Sequence, residues 1–127
     1  MNNFLDLADL SREQVVELLA LADRLQARPE PQALAGKILG LLFFNPSLRT
    51  LASFQAAMAR LGGTSFVIPA GNGTWQLETR RGAVMNGAPA EHVREGVPVL
   101  AHYCDALGIR AFAGGTDLEG DLNETSF

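Results

Sequence analysis

The sequence has one cysteine, two histidines and no excess of basic side chains. The single cysteine, Cys104, excludes an internal disulfide and is typical of a reducing compartment. It lies in an apolar stretch, so it is interpreted as a core residue rather than a nucleophile. His92 and His102 have no partners at the spacing of a metal site, so we expect no metal ion. With 10 basic and 14 acidic side chains the net charge is −4, which argues against a nucleic-acid-binding surface.

Long apolar runs are also missing. No run reaches the roughly 18 residues of a membrane-spanning helix, and Met1-Asn2-Asn3 lacks the basic segment of a signal peptide. We therefore expect no membrane partner and a cytoplasmic location. The length of 127 residues, with 47% hydrophobic and 19% charged residues, fits one globular domain.

The pattern of apolar residues predicts helices that alternate with strands. A capping box at Ser11 and Gln14 starts a helix, and the apolar run at 38–44 does not alternate, as in a strand covered on both faces. The further predicted elements are helices at 51–61, at 76–85 and from Glu91 onwards, and strands at 64–68 and 107–112. This order predicts an α/β fold with a parallel sheet and helices on both faces.

The stretch Asn45-Pro46-Ser47-Leu48-Arg49-Thr50 lies between the first predicted strand and the helix that comes after it. A helix N-terminus attracts anions, and the two hydroxyls and the guanidinium of this stretch can add donors. Alternatively, Ser47 only caps the helix and Arg49 is a solvated surface charge. Arg110 favours the anion site, because it lies near the carboxyl end of another strand, where ligands bind in parallel sheets. If that strand is a neighbour of the first, two arginines and a helix N-terminus face one crevice, which suits a doubly charged phosphate.

The only tryptophan, Trp75, comes directly after a glycine-rich loop at 71–73. It either covers a pocket or contacts another chain, or it is an ordinary packing residue. His92 and His102 fall on the more polar side of the third predicted helix and are interpreted as surface or boundary residues. No G-x-G-x-x-G pattern comes after the first strand, which disfavours a dinucleotide-binding fold.

The stretch Phe-Phe-Asn-Pro-Ser-Leu-Arg-Thr at 43–50, with Ser53-Phe54 after it, resembles the carbamoyl-phosphate motif of the aspartate and ornithine transcarbamylases. Segments 75–79, 84–87, 91–92 and 108–112 are similar to the N-acetylornithine and N-succinylornithine branch of that family. The resemblance implies transfer of a carbamoyl group from carbamoyl phosphate to the side-chain amine of an N-acylated ornithine, in arginine biosynthesis. It implies no metal and no cofactor.

The resemblance also implies that this chain is an incomplete carbamoyl-phosphate domain of a two-domain transcarbamylase that forms a homotrimer. We expect the partial domain to span residues 1–113 and residues 114–127 to be a polar tail or the start of a missing portion. The 127-residue chain alone is expected to be inactive. Two alternatives stay open, namely a truncated, non-catalytic phosphate-binding or assembly module and an ornithine carbamoyltransferase proper.

The resemblance carries roles to individual positions of this sequence. The residues that it implies for carbamoyl-phosphate binding are Ser47, Leu48, Arg49, Thr50, Trp75 and Arg110. Of these, Arg49 and Arg110 would be catalytic, with Arg110 reaching the phosphate or the carbonyl oxygen. Trp75 resembles a tryptophan that reaches the site of a neighbouring subunit.

One position departs from the family motif, and another bears on the choice of the second substrate. Leu51 stands where the family motif commonly has a second arginine, so any role of that arginine in the site is in doubt. Ala90 stands where the acetylornithine enzymes carry a glutamate and the succinylornithine enzymes a proline. A glutamate there would repel a succinyl carboxylate, whereas alanine leaves room for it, so N-succinylornithine is favoured over N-acetylornithine as the second substrate.

Overall fold

The computed structural model describes residues 3–70 and 75–112. The helices are α1 (Arg12–Ala27), α2 (Leu48–Arg60) and α3 (Val93–Ala101), with a short 3-10 helix at Leu7–Asp9. The strands are β1 (Ile38–Phe43), β2 (Thr64–Pro69), β3 (Leu77–Glu78), β4 (Glu91–His92) and β5 (Ala106–Arg110). The loop tip predicted at 71–73 and the tail predicted at 114–127 lie outside the described residues.

A parallel sheet with the strand order β2-β1-β5 forms the centre of the described structure. Phe43, the last residue of β1, pairs with Pro69 on one side and with Arg110 on the other. Helix α2 connects β1 to β2, and α3 precedes β5 on the opposite side of β1. Because crossovers between parallel strands are right-handed, connections that run in opposite directions put their helices on opposite faces.

Burial along β1 shows that both faces of the sheet are covered. Leu41 and Leu42 are adjacent, so their side chains point to opposite faces, yet their exposed fractions are only 1% and 0%. Helix α2 contacts β2, and α3 contacts β5. The predicted α/β class, a parallel sheet with helices on both faces, is confirmed.

Helix α1 begins as predicted. Ser11 Oγ accepts a hydrogen bond from Gln14 N, and Gln14 Oε1 accepts one from Ser11 N, which completes the capping box. The helix has no buried residue, and Leu18 and Leu19 of its apolar stripe stay exposed in the described part of the molecule. The apolar spacing of α1 was predictable from the sequence, whereas the exposure of these leucines was not.

The helix predicted at 76–85 is wrong. Leu77–Glu78 forms strand β3 instead, which pairs in parallel with Glu91–His92 of β4, and turns come after it. Because Glu91 and His92 take part in this pairing, the third helix begins at Val93 rather than at Glu91. Weak periodicity and glycines left this segment without a helical face of its own, so pairing with a distant segment decided its structure.

The third predicted strand ends at Arg110 instead of Phe112. The backbone N–H of Phe112 leaves the ladder and donates to Asn45 Oδ1 at 2.6 Å. A side-chain amide therefore takes over the hydrogen bond that a neighbouring strand would accept.

Gly40, in the middle of β1, provides the first testable prediction. A Cβ atom added there would lie 2.8 Å from both Leu107 Cδ1 and Phe66 Cζ, and 3.1 Å from Cys104 Sγ. Overpacking of this kind costs about 1–3 kcal/mol. We expect Gly40→Ala to lower the free energy of unfolding by about that amount, measured by urea denaturation.

The matched control is Gly87→Ala, where the added Cβ would meet only Pro89 Cδ at an ordinary 3.7 Å. The control should retain the wild-type midpoint of denaturation. If Gly40→Ala also unfolds at the wild-type midpoint, the close packing around β1 is not as described.

Candidate functional site

The predicted anion-binding stretch and Arg110 meet at the carboxyl edge of the parallel sheet. Phe43 of β1 is paired in register with Arg110 of β5, and Phe44 N donates to Arg110 O at 2.9 Å. Residues 45–50 continue directly from this point into α2. The first and third predicted strands are therefore neighbours, and one arginine comes from each of two segments.

The N-terminus of α2 has no side-chain cap. Ser47 is the N-cap residue, but its hydroxyl bonds to Thr50 Oγ1 at 2.9 Å instead of accepting a backbone N–H. The first hydrogen bond of the helix runs from Leu51 N to Ser47 O at 3.1 Å. Within residues 3–70 and 75–112 the N–H groups of positions 48 to 50 have no acceptor, so they are available to an anion. Ser47 thus occupies the N-cap position without a side-chain cap bond, and the exposure of Arg49 agrees with both the anion site and a surface charge.

Neither arginine of this cluster forms an ion pair with a carboxylate of the described residues. Arg49 is exposed on the first turn of α2. Arg110 is half-buried, and its Nε atom is buried without a hydrogen-bond partner in the same part of the chain. The Arg110 guanidinium lies over the ring of Phe112, with its central carbon 4.3 Å from the ring centre. Two positive charges thus lie at one edge of the sheet without a carboxylate of the described residues to neutralise them.

Sequence reasoning missed Asn45. Its Oδ1 accepts the Phe112 N–H and ties the end of β5 to the loop that opens α2. An asparagine before a proline indicates a loop, but nothing in the sequence pairs it with a residue 67 positions away.

An apolar cavity of about 280 Å³ lies beside the α2 N-terminus. Leu48, Leu51 and Val67 contribute to its lining, together with Phe44. Leu51 occupies the position at which the resemblance leads one to expect an arginine, so this wall of the cavity is apolar where the family motif would be charged.

Trp75 lies two residues before β3 and Ala90 directly before β4, the two strands of a separate sheet. Strand β3 pairs Leu77 with Glu91, which brings the residues just before each strand into the same region. Ala90 is exposed, and half of the Trp75 surface is accessible. Trp75 also lines a cavity of about 350 Å³ that extends to α3, which excludes a fully packed core position.

Glu78 is the buried charged residue of this small sheet. Its Oε1 accepts hydrogen bonds from Arg80 N and Nε at 2.9 and 3.1 Å, and its Oε2 accepts one from Arg80 Nη2 at 2.8 Å. These bonds outweigh burial and lower the pKa of Glu78 from its ordinary 4.5 to about 2. The carboxylate therefore holds the turn that comes after β3.

The histidines lie at the two ends of α3, and not on its polar side as predicted. His92 Nδ1 accepts from Arg94 N at 3.1 Å as the N-cap of α3, and its Nε2 lies 3.1 Å from Arg80 O. Because Nδ1 accepts, the ring proton belongs on Nε2, which donates to the carbonyl. His102 Nδ1 lies 2.7 Å from Pro98 O at the end of α3.

No group of three or more histidine, cysteine or acidic side chains in the described ranges could hold a metal ion. No helix among the same residues is both long and apolar enough to cross a membrane.

Comparisons with known proteins place these features in a family. Residues 2–125 match the model of the aspartate/ornithine carbamoyltransferase, carbamoyl-P binding domain. An N-succinylornithine carbamoyltransferase of Bacteroides thetaiotaomicron is 45% identical over 89 residues, which cover 70% of this chain and 28% of that protein. An N-acetylornithine carbamoyltransferase of Xanthomonas campestris pv. campestris is 37% identical over 124 residues, covering 98% of this chain and 37% of that one.

A solved structure matches the fold closely. It is a glutamate-to-alanine mutant of an N-acetyl-L-ornithine transcarbamylase, complexed with carbamyl phosphate and N-succinyl-L-norvaline. The TM-score is 0.88 at 37% sequence identity, over 98% of this chain and 38% of that one. The chain therefore spans only about a third of the length of the proteins that it matches.

Glu78 leads to a prediction on acid stability. A carboxylate whose pKa is lowered on folding stabilises the protein above its unfolded pKa, and that contribution is lost as the pH falls through the folded pKa. We expect Glu78→Gln to unfold at lower urea concentration than the wild type at neutral pH. This difference should shrink as the pH falls from about 4.5 towards about 2.

The control for this prediction is Glu17→Gln on the exposed surface of α1, which should leave the midpoint unchanged at neutral pH. A difference between Glu78→Gln and wild type that stays constant over the acid range would contradict the assigned role of the carboxylate.

Proposed function

Because this chain belongs to the aspartate/ornithine carbamoyltransferase family and matches its carbamoyl-phosphate-binding domain, we propose that the α2 N-terminus and Arg110 bind carbamoyl phosphate. The observation that carries the proposal is the uncapped first turn of α2, which lies beside a strand end that supplies Arg110. Backbone N–H groups at a helix N-terminus and arginine forks are both suited to phosphate oxygens.

Each residue of the stretch has a distinct part in this proposal. Leu48, Arg49 and Thr50 offer backbone N–H groups to the phosphate. Ser47 donates its hydroxyl proton to Thr50 Oγ1, so the Thr50 hydroxyl keeps its own proton for a phosphate oxygen. The Arg49 side chain adds a guanidinium from the solvent side.

The reaction that we propose is transfer of the carbamoyl group to the side-chain amine of an N-acylated ornithine, with phosphate as the leaving group. Negative charge grows on the phosphate as its bond to the carbamoyl carbon breaks. Arg49 and Arg110 would stabilise that charge, and Arg110 could instead polarise the carbonyl oxygen. Donors already held in place need no reorganisation as the charge develops.

For the second substrate we propose N-succinylornithine rather than N-acetylornithine. Ala90 is exposed and has a small, uncharged side chain, so a longer acyl group meets neither bulk nor charge at that position. In the matching N-acetyl-L-ornithine transcarbamylase, exchange of a glutamate for alanine accompanies a bound N-succinyl-L-norvaline. We propose that alanine has the same effect here.

The remaining parts of the proposal concern the whole protein. Residues 1–113 would form part of the carbamoyl-phosphate domain of a cytoplasmic homotrimer in which Trp75 reaches a neighbouring site. The transfer reaction would need the other two thirds of the family length. The chain alone is thus expected to bind carbamoyl phosphate without converting it.

Arg49 tests the phosphate site directly. We expect Arg49→Ala to weaken the binding of carbamoyl phosphate about 10- to 100-fold, since hydrogen bonds to charged groups contribute about 1.5–3 kcal/mol. Isothermal titration calorimetry with freshly dissolved carbamoyl phosphate measures the change. Arg60→Ala, at the opposite end of α2, removes the same charge far from the N-terminus and should retain wild-type affinity. Equal affinities of wild type and Arg49→Ala would refute the site.

Ala90 tests the second substrate in an enzyme of full family length that carries this domain. We expect Ala90→Glu to lower kcat/KM for N-succinylornithine relative to N-acetylornithine by about tenfold or more, because two carboxylates would repel each other. The control, Ala90→Gln, adds nearly the same volume without the charge and should change this ratio much less. If glutamate and glutamine have the same effect, bulk rather than charge governs the choice of acyl group.

A further inference from the structure

The side chain of Asn45 joins two segments that are far apart in the sequence. Its Oδ1 accepts the Phe112 N–H at 2.6 Å, a short hydrogen bond across 67 residues. The preceding residue, Phe44, donates its N–H to Arg110 O at 2.9 Å. Adjacent residues of one loop thus hold the end of β5 at two points.

The guanidinium of Arg110 stacks on an aromatic ring. Its Nε is buried and has no hydrogen-bond partner in the described residues. The ring of Phe112 lies beneath it, 4.3 Å from the central guanidinium carbon. The face of an aromatic ring attracts a guanidinium, and the attraction depends on where the ring lies. Whatever fixes Phe112 therefore also fixes the position of the Arg110 charge.

We propose that Asn45 is a positioning residue: by holding the Phe112 backbone, it sets the Phe112 ring under Arg110 and aims the guanidinium at the N-terminus of α2. The role rests on the proposed function only for the identity of the anion that Arg110 meets. A displacement of about 1 Å of a charged group in such a site can remove a large part of its contribution to binding or catalysis.

The chemistry of the asparagine side chain fits this role. An aspartate at position 45 would offer the same acceptor oxygen to the Phe112 N–H, but it would add a negative charge beside the anion site. An alanine would leave the Phe112 N–H without this partner. An asparagine supplies the acceptor without the charge, so variants at this position separate geometry from electrostatics.

A purely structural role for Asn45 makes a different prediction. If the hydrogen bond only closes the loop, its loss lowers stability and leaves the Arg110 guanidinium over the ring. The test must therefore report on the guanidinium itself, in the absence of any ligand.

The first experiment records the Nε–Hε resonance of Arg110 by NMR in the 127-residue chain, assigned with Arg110→Lys. The ring current of Phe112 should shift this resonance upfield in the wild type. We expect Asn45→Ala and Phe112→Leu to abolish the shift and Asn45→Asp to retain it. Asn86→Ala, an exposed asparagine elsewhere, is the matched control and should retain it too.

The second experiment titrates carbamoyl phosphate into the same variants. We expect Asn45→Ala and Phe112→Leu to bind about five- to tenfold more weakly than wild type, as for the loss of one hydrogen bond. Asn45→Asp should also bind more weakly, here because of its charge, although its Arg110 resonance is unchanged. The control Asn86→Ala should bind like the wild type.

Several results would overturn the proposal. An unshifted Arg110 resonance in the wild type, or a retained shift in Asn45→Ala, would show that Asn45 does not position the guanidinium. If Asn45→Ala fails to fold, Asn45→Leu decides, since it keeps nearly the same side-chain volume and removes only the acceptor of the Phe112 N–H. If wild type does not bind carbamoyl phosphate while the resonances behave as expected, the proposed function fails and the positioning role stands.

Discussion

The parallel pairing of β1 with β5 is the interaction on which the candidate site depends. Parallel strands end at the same edge of a sheet, so the register that pairs Phe43 with Arg110 also decides which residues meet at that edge. One strand leads into the α2 N-terminus, and the other ends at an arginine. A shift of one residue would turn the Arg110 side chain to the opposite face of the sheet.

Local rules of stability are broken where the anion is proposed to bind. The Ser47 hydroxyl bonds to Thr50 and not to the helix N-terminus, and Arg110 Nε is buried without an acceptor in the described structure. Both arrangements cost stability in a protein without ligand. Functional sites are where such costs are expected, because groups satisfied within the protein have less to offer a ligand. The capping box of α1, which has no part in the site, is fully satisfied.

The two-stranded sheet shows where prediction from sequence failed. Segment 76–85 has neither a continuous apolar stripe nor strict alternation, so periodicity gave no reliable assignment. Its structure comes from pairing with Glu91–His92 and from Glu78 binding Arg80, and both are contacts of individual residues rather than patterns. The prediction of where β5 ends was wrong for a similar reason. The side chain of Asn45, which is distant in sequence, accepts the hydrogen bond of the Phe112 N–H.

The sequence by itself determined the α/β class, the apolar central strand, the capping box of α1, and the motif that resembles the transcarbamylases. These features depend on residues close together in the chain, where periodicity and turn chemistry act. Only the tertiary structure decided that Arg110 stands opposite Phe43, that Asn45 holds Phe112, and that the segments after Trp75 and Ala90 pair in a separate sheet. Such contacts join residues whose separation along the chain carries no local signal. Their geometry comes from strand order and register, which the sheet fixes only as a whole.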